Sequence, residues 1–356
     1  METEQRIKRP RLKTFVLMPL LRCNANCTFC SQRLERHDRA RNDLMLSLEK
    51  WFDIIRQGMA LGLSHIIISG GEPTLYPDLL PLVRFCKTNN LHVTLNTNGI
   101  AVSEELVQAL ADLGLDSCVV SLYSHKPNVH DELKGVNGAF QGAIKTLELL
   151  KSYHIPIYFL AVLTKKNLSG LAEYLEFIRS FKPVHLYLSY LEGDNPGLRP
   201  SAEDIHHFQT GVLPRSIKAL GAHLVPKDNR SLFGKLRSSF RLPFCGRSQH
   251  HEKLAPLRNL YRFEHVSIND LAKGVYNPAT YNGCGVGNRM CLILANGDVL
   301  PCLGVQYWST PPVGNIHETL LNEIWYSELW ERARKRGSGW CRLCPMGHHV
   351  GIRLRI

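Results

Sequence analysis

A chain of 356 residues with 44% hydrophobic side chains can bury one large core and a smaller companion. The longest apolar run, 155–163, contains Pro156 and falls far short of the ~20 residues that a membrane helix needs, so no spanning segment is expected. The formal net charge of +12 favours acidic partners. The eleven cysteines are odd in number and grouped at metal-ligand spacings, which excludes a secreted disulfide scaffold and fits a reducing, cytoplasmic setting.

The first predicted strand, 14–20, follows the basic stretch "RIKRPRLK". Its apolar part is too short for a secretory signal, and no small-residue cleavage site follows. From here an apolar run of strand length alternates six times with an amphipathic run of helical period. That alternation predicts a parallel sheet or barrel. The further strands are expected at 65–69, 92–97, 117–122, 157–164 and 185–191, each rich in Val, Ile, Leu or Tyr. Helices are expected at 47–61, 79–89, 103–113, 140–153, 171–181 and over 202–220, where Pro214 must end or kink the last one. Ser47 and Ser103 stand as capping hydroxyls ahead of acidic first turns.

Periodicity fades between about 224 and 280, a stretch holding Pro226, Pro243, Pro256 and Pro278. Beyond it, "CLILANGDVLPC" signals a hairpin turning at Asn296-Gly297-Asp298. A helix over 320–334 and a terminal "WCRLC" complete a small cysteine-bearing unit. The expected division is a barrel over 13–221, an irregular bridge over 222–280 and a cysteine-rich unit over 281–356.

Two motifs carry chemistry. Cys23, Cys27 and Cys30 follow the first strand with three and then two residues between them. Closed zinc sites and ordinary ferredoxin clusters take four protein ligands, so a trio points to a cubane with one iron left open. Zinc completed by a distant ligand is the alternative. The trio lies at the strand end where α/β barrels place their active sites. The second motif, "ISGGEPTLYPDL", follows the second strand. There Gly70 and Gly71 would let a ligand lie against the backbone, Glu72 offers a carboxylate able to grip an ammonium, and Pro73 fixes the turn.

CxxxCxxC after the first strand joined to GGEP after the second resembles the radical S-adenosylmethionine superfamily. The resemblance runs through the six βα units and implies a partial (β/α)6 TIM-like barrel. It also implies a [4Fe-4S] cluster whose open iron is chelated by S-adenosyl-L-methionine, cleaved to a 5′-deoxyadenosyl radical that abstracts a hydrogen atom from substrate. By the same resemblance Gly70, Gly71 and Glu72 would contact the methionine amino group and Phe29 would lie by the adenine. Ser121 in "VVSLYS" and Asn167 in "LTKKN" would touch the ribose or carboxylate, and "LNTNG" at the third strand's end matches the family as well. Flavodoxin or ferredoxin is the electron donor that the resemblance implies.

Cys284, Cys302, Cys341 and Cys344 form a second group. On chemistry alone it suits a zinc ribbon or an iron–sulfur cluster. The spacing C-x12-G-x4-C with a later CxxC is similar to the twitch form of the SPASM domain, and this implies an auxiliary [4Fe-4S] cluster. The further cysteines of the full SPASM pattern do not follow Cys344. Four thiolates would saturate that cluster, which suits an electron acceptor for oxidation, by dehydrogenation or crosslinking, of a small-molecule or peptide substrate. The alternative is redox-neutral epimerisation with Cys245 as hydrogen donor. A zinc-containing nucleic-acid binder is the third reading, but no interleaved basic and aromatic face supports nucleic acid as a partner. Cys86, Cys118 and Cys291 read as packed core cysteines.

Overall fold

The computed structural model describes residues 11–30, 45–191, 195, 197–212, 214–216, 287–301, 312–336 and 350–352. Cys245, Cys284, Cys302, Cys341 and Cys344 lie outside the described residues.

The six predicted strands form in the expected order: β1 (Thr14–Met18), β2 (His65–Ile68), β3 (His92–Thr97), β4 (Ser117–Ser121), β5 (Ile157–Leu163) and β6 (His185–Tyr190). They pair in parallel, each with the next. Helices α1 (Leu48–Ala60), α2 (Leu79–Thr88), α3 (Glu104–Asp112), α5 (Ala139–Ser152) and α6 (Leu171–Arg179) make the crossovers that parallel neighbours need. Ser47 and Ser103 cap α1 and α3 by accepting from Lys50 N and Leu106 N, both at 3.2 Å.

Alternation along each strand sorts its side chains. Phe15 and Leu17 of β1, Ile66 and Ile68 of β2, Val93 and Leu95 of β3 and Phe159 of β5 join one core with Trp51, Ile54 and Ile55 of α1, Leu82 and Val83 of α2 and Leu175 of α6. Each such side chain, once fully buried, contributes about 1.5–3 kcal/mol. The opposite face of β1 carries Val16 and Met18 into a second cluster with Leu292, Leu294 and Leu300.

Three departures from the sequence reading bear on the site. An additional helix, α4 (Pro127–Lys134), stands after β4, started by Pro127 in its first turn and closed by Gly135 in the left-handed conformation. The run from 202 changes character along its length: α7 (Ala202–His207) passes into a π turn, Phe208–Val212, before Pro214. The predicted 320–334 helix is two, α8 (Leu321–Trp325) and α9 (Glu328–Arg336), because Ser327 Oγ accepts from Trp330 N at 3.1 Å and starts the second.

The hairpin forms as β7 (Met290–Leu294) and β8 (Asp298–Leu300), and β9 (Gly314–Asn315) follows. It joins the barrel's own sheet: β7 pairs in parallel with β1, Met18 opposite Leu294. At the other edge β10 (Val350–Ile352) pairs antiparallel with β6. Among the described residues the sheet therefore has ten strands in the order β10-β6-β5-β4-β3-β2-β1-β7-β8-β9. Leu321 N donates to Gln57 Oε1 at 2.8 Å and fastens α8 to α1. Among the described residues no helix is long and apolar enough to cross a membrane.

Candidate active site

The loop after β1 carries Cys23, Cys27 and Cys30 across the C-terminal ends of the strands, and its backbone is anchored on both sides. On one side Gly71 N donates to Leu20 O at 2.8 Å and Glu72 N to Arg22 O at 2.9 Å. On the other, Asn26 N donates to Lys134 O at 2.9 Å and Thr28 N to Leu133 O at 3.3 Å. The loop thus bridges the end of β2 and the end of α4.

The two glycines let the cysteine loop lie against the end of β2: a Cβ on Gly70 would stand 2.5 Å from Leu20 O, and one on Gly71 would stand 2.2 Å from both Leu21 O and Arg22 O. Gly70 also holds φ of +127°, which a side chain rarely adopts.

Glu72 is buried, 1% exposed, and its carboxylate is a latch. Oε1 accepts from Thr74 N at 3.1 Å, Thr74 Oγ1 at 2.7 Å and Thr97 Oγ1 at 2.7 Å, and Oε2 accepts from Asn98 N at 2.7 Å. Four donors satisfy the cost of burying a charge. Oε2, with one bond, keeps capacity for a further donor. Pro73 opens the short 3-10 turn that presents this carboxylate.

Asn98, which the sequence reading took only as a matching turn residue, reaches the cysteine loop. Its Nδ2 donates to Asn24 Oδ1 at 2.7 Å and to Cys23 Sγ at 3.6 Å, and Ala25 N approaches the same sulfur at 3.4 Å. Such donors orient a metal-ligating thiolate. Asn96, on the same strand but on the face opposite Val93 and Leu95, donates to Ser69 Oγ at 3.4 Å, and its Oδ1 is buried without a partner among the described residues.

The third wall is aromatic and cationic. Phe29 meets Tyr123 edge-on at 5.1 Å. Burial, and next the Cys27 and Cys30 thiols, push the Tyr123 phenol well above its ordinary range, and Ser121 at the end of β4 offsets this by hydrogen bonding. Lys134 lies with Nζ 4.4 Å from the Tyr123 ring centroid. Burial lowers the Lys134 pKa, opposed first by Cys27 and then by Glu72, Cys23 and Cys30. His130 Nδ1 accepts from Tyr123 N at 3.1 Å, and burial, then the Lys134 charge, lowers this imidazole to about 3. The sequence reading gave Lys134, Tyr123 and His130 no individual role, because they come together only when α4 folds back under the loop.

Asn167 is placed differently from expectation. Its Nδ2 donates to Tyr123 O at 2.7 Å and Val162 O at 2.8 Å, and its Oδ1 accepts from Thr164 N and Oγ1. That amide is committed to joining the ends of β4 and β5, so little capacity remains for a ribose or carboxylate.

Among the described residues no three His, Cys, Asp or Glu converge as a single metal ion would require. A cubane takes each thiolate on a different iron, so its ligands need not converge on one point. The three half-buried thiols, the N–H donors at Cys23 and the neighbouring cation suit a cluster. β7 begins beside Thr14 of β1, and β8 ends at Leu300 opposite Leu292, whose own partner on β1 is Val16.

Fold and site define an α/β protein with a parallel partial barrel and a cysteine-bearing loop over its strand ends. Comparison with known proteins makes this specific. The radical SAM superfamily matches residues 18–178, and the SPASM family, an iron–sulfur cluster-binding domain, matches 284–345. The chain is 25% identical over 338 residues to the PqqA peptide cyclase of Streptomyces rochei, covering 93% of this chain and 82% of that protein. It is also 25% identical over 331 residues to the AdoMet-dependent heme synthase of Methanosarcina barkeri, covering 90% and 85%. In fold it resembles Streptococcus suis SuiB bound to S-adenosylmethionine, with a TM-score of 0.61 and 22% identity, covering 91% of this chain and 68% of that one. The chain carries a radical SAM domain over 18–178 and a SPASM-type domain over 284–345. Its cofactors are accordingly S-adenosyl-L-methionine, the [4Fe-4S] cluster that binds it, and an auxiliary [4Fe-4S] cluster.

Proposed function

We propose that the protein oxidises a peptide or small-molecule substrate by radical hydrogen abstraction, forming a double bond or a crosslink, with the auxiliary cluster as electron acceptor. When bound, the cofactors supply the radical. The substrate loses one hydrogen atom to it, then one electron to the acceptor and one proton to a base, a net two-electron oxidation. A peptide is the favoured substrate, since a relative covering most of this chain is a PqqA peptide cyclase. A flavodoxin or ferredoxin supplies electrons for the first step.

Cys23, Cys27 and Cys30 hold the S-adenosylmethionine-binding cluster in this reading, and Cys284, Cys302, Cys341 and Cys344 hold the auxiliary one. The ammonium of the co-substrate is received at Gly70, Gly71 and the free capacity of Glu72 Oε2. Phe29 flanks the adenine, and Ser121 contacts the ribose. Asn167 acts instead by holding the ends of β4 and β5. Asn96 Oδ1 accepts a donor of the substrate, since a buried acceptor without a partner costs about 1–3 kcal/mol and a bound N–H or O–H removes that cost.

The observation that carries the reading is the joint match, in one chain, of the radical SAM superfamily over 18–178 and of an iron–sulfur cluster-binding SPASM domain over 284–345. The test is anaerobic reconstitution with iron, sulfide and zinc counted per chain. About eight irons in the wild type and about four in the C23A/C27A/C30A variant are expected, together with loss of 5′-deoxyadenosine formation in that variant. About four irons with one zinc in the wild type would remove the acceptor and defeat the oxidative reading.

A further inference from the structure

We propose that Lys134 is a positioning residue for electron transfer: a fixed internal cation whose charge raises the reduction potential of the cluster at Cys23, Cys27 and Cys30. This rests on the reading that those cysteines hold that cluster.

Lys134 is 1% exposed and ranks among the largest fully buried side chains. A buried ammonium is costly unless charge compensates it. None of the ion pairs among the described residues includes Lys134. The groups that favour its charged form are Cys27, Glu72, Cys23 and Cys30. Glu72 is already held by four donors. The three thiols and the Glu72 carboxylate are together the groups that offset the burial of this cation.

Its position is set by the same contacts that set the thiols. Lys134 O and Leu133 O receive Asn26 N and Thr28 N from the cysteine loop. Gly135 holds φ of +64°, and a Cβ there would stand 2.3 Å from Asn26 O, so α4 and the loop meet at backbone contact. The ammonium lies over the Tyr123 ring, which Phe29 meets from the loop. Charge and loop accordingly move as one body. A methionine would fill similar space without the desolvation cost, so the charge itself requires an explanation.

The electrostatic consequence has a definite sign. Three thiolates make the assembly negative, and accepting an electron makes it more so. A cation held nearby stabilises the reduced form more than the oxidised one, and in partly buried surroundings a unit charge several ångströms away shifts such an equilibrium by about tenfold or more.

The experiment uses the full-length, reconstituted protein as wild type, K134M and K134R. Each is titrated with dithionite under S-adenosylmethionine, following by electron paramagnetic resonance the signal that changes on its addition, which separates this cluster from the auxiliary one. At the potential where half the wild-type cluster is reduced, K134M is expected to show a reduced-to-oxidised ratio lower by about tenfold, about 59 mV for one electron, with K134R within about twofold of wild type. A K134M ratio within about twofold of wild type at full iron content would overturn the proposal, as would an equal shift in K134R. If K134M fails to retain iron, K134R decides: wild-type iron and potential in K134R support the role of charge, and loss in both variants refutes it. Failure of the underlying site reading looks different, since C23A/C27A/C30A would then keep its iron and its S-adenosylmethionine-sensitive signal.

Discussion

Replacing Glu72 by glutamine should destabilise the protein although size and shape are kept. All four partners of the carboxylate act as donors toward it. Thr97 Oγ1 is itself committed as an acceptor, because it receives Gly99 N at 3.0 Å. A glutamine must therefore aim its amide N–H₂ either at Asn98 N–H or at Thr74 N–H, and in both orientations a buried backbone donor loses its acceptor. Leaving one such group unsatisfied costs about 1–3 kcal/mol, and losing the charge weakens the remaining bonds, so about 2–4 kcal/mol is expected in total. Urea denaturation of the metal-free protein measures this directly, as a lower midpoint at unchanged slope. Because Asn98 also holds Asn24 and Cys23, the glutamine variant should retain less iron after reconstitution. A glutamine variant within about 0.5 kcal/mol of wild type, an ordinary surface effect, would show that the latch does not carry the loop.

Other expectations follow from the same contacts. Asn98→Ala removes a donor to Cys23 Sγ and the tie to Asn24; cluster retention under chelator challenge should fall by about 10–100-fold, and unchanged iron loss would refute the role. Gly71→Ala drives a Cβ into the Leu21 and Arg22 carbonyls, so it should cost about 3 kcal/mol or more and impair iron loading, whereas Gly138→Ala, with open space around it, should cost only about 1–2 kcal/mol for its positive φ. His130 gives a pH dependence. Its folded pKa of about 3 lies below the unfolded 6.5, so the unfolded state binds the proton first and stability falls as pH drops from 6.5 toward 3. Between pH 7.5 and pH 5 this one group should remove about 2 kcal/mol. His130→Asn, which cannot titrate, should flatten that difference in paired urea titrations, and an unaltered slope would sink the assignment.

The barrel was legible because its signals are local. A strand such as 92–97 and its following helix show their periods within a few neighbouring residues, and serines at 47 and 103 announce the helix starts that the structure confirms. Cys86, Cys118 and Cys291 were also readable as core: all are buried, and burial pushes all three thiols up, Cys86 to about 12. The missing helix, α4, was hidden because "PNVHDELK" has few apolar residues and its stripe is Val129, His130 and Leu133, in which a histidine takes a core place. The break between α8 and α9 was hidden for a related reason, since the apolar pattern runs through Ser327 without interruption.

The site divides along the same line. Which residues are thiols, which turn carries a carboxylate and which strand each follows are fixed by the chain order, and with six repeated βα units this order alone sends Cys23, Glu72 and Ser121 toward one end of a parallel sheet. What those groups meet there depends on register and on loops that fold back over many residues. That is why only the tertiary structure could show Glu72 occupied by Thr97 and Asn98, the glycines filled by Leu20 to Arg22, Lys134 buried beneath the cysteine loop, and the C-terminal hairpin paired with β1. Secondary structure follows from neighbours along the chain; the partner of a buried charge or an edge strand follows from which distant backbone comes within hydrogen-bond reach.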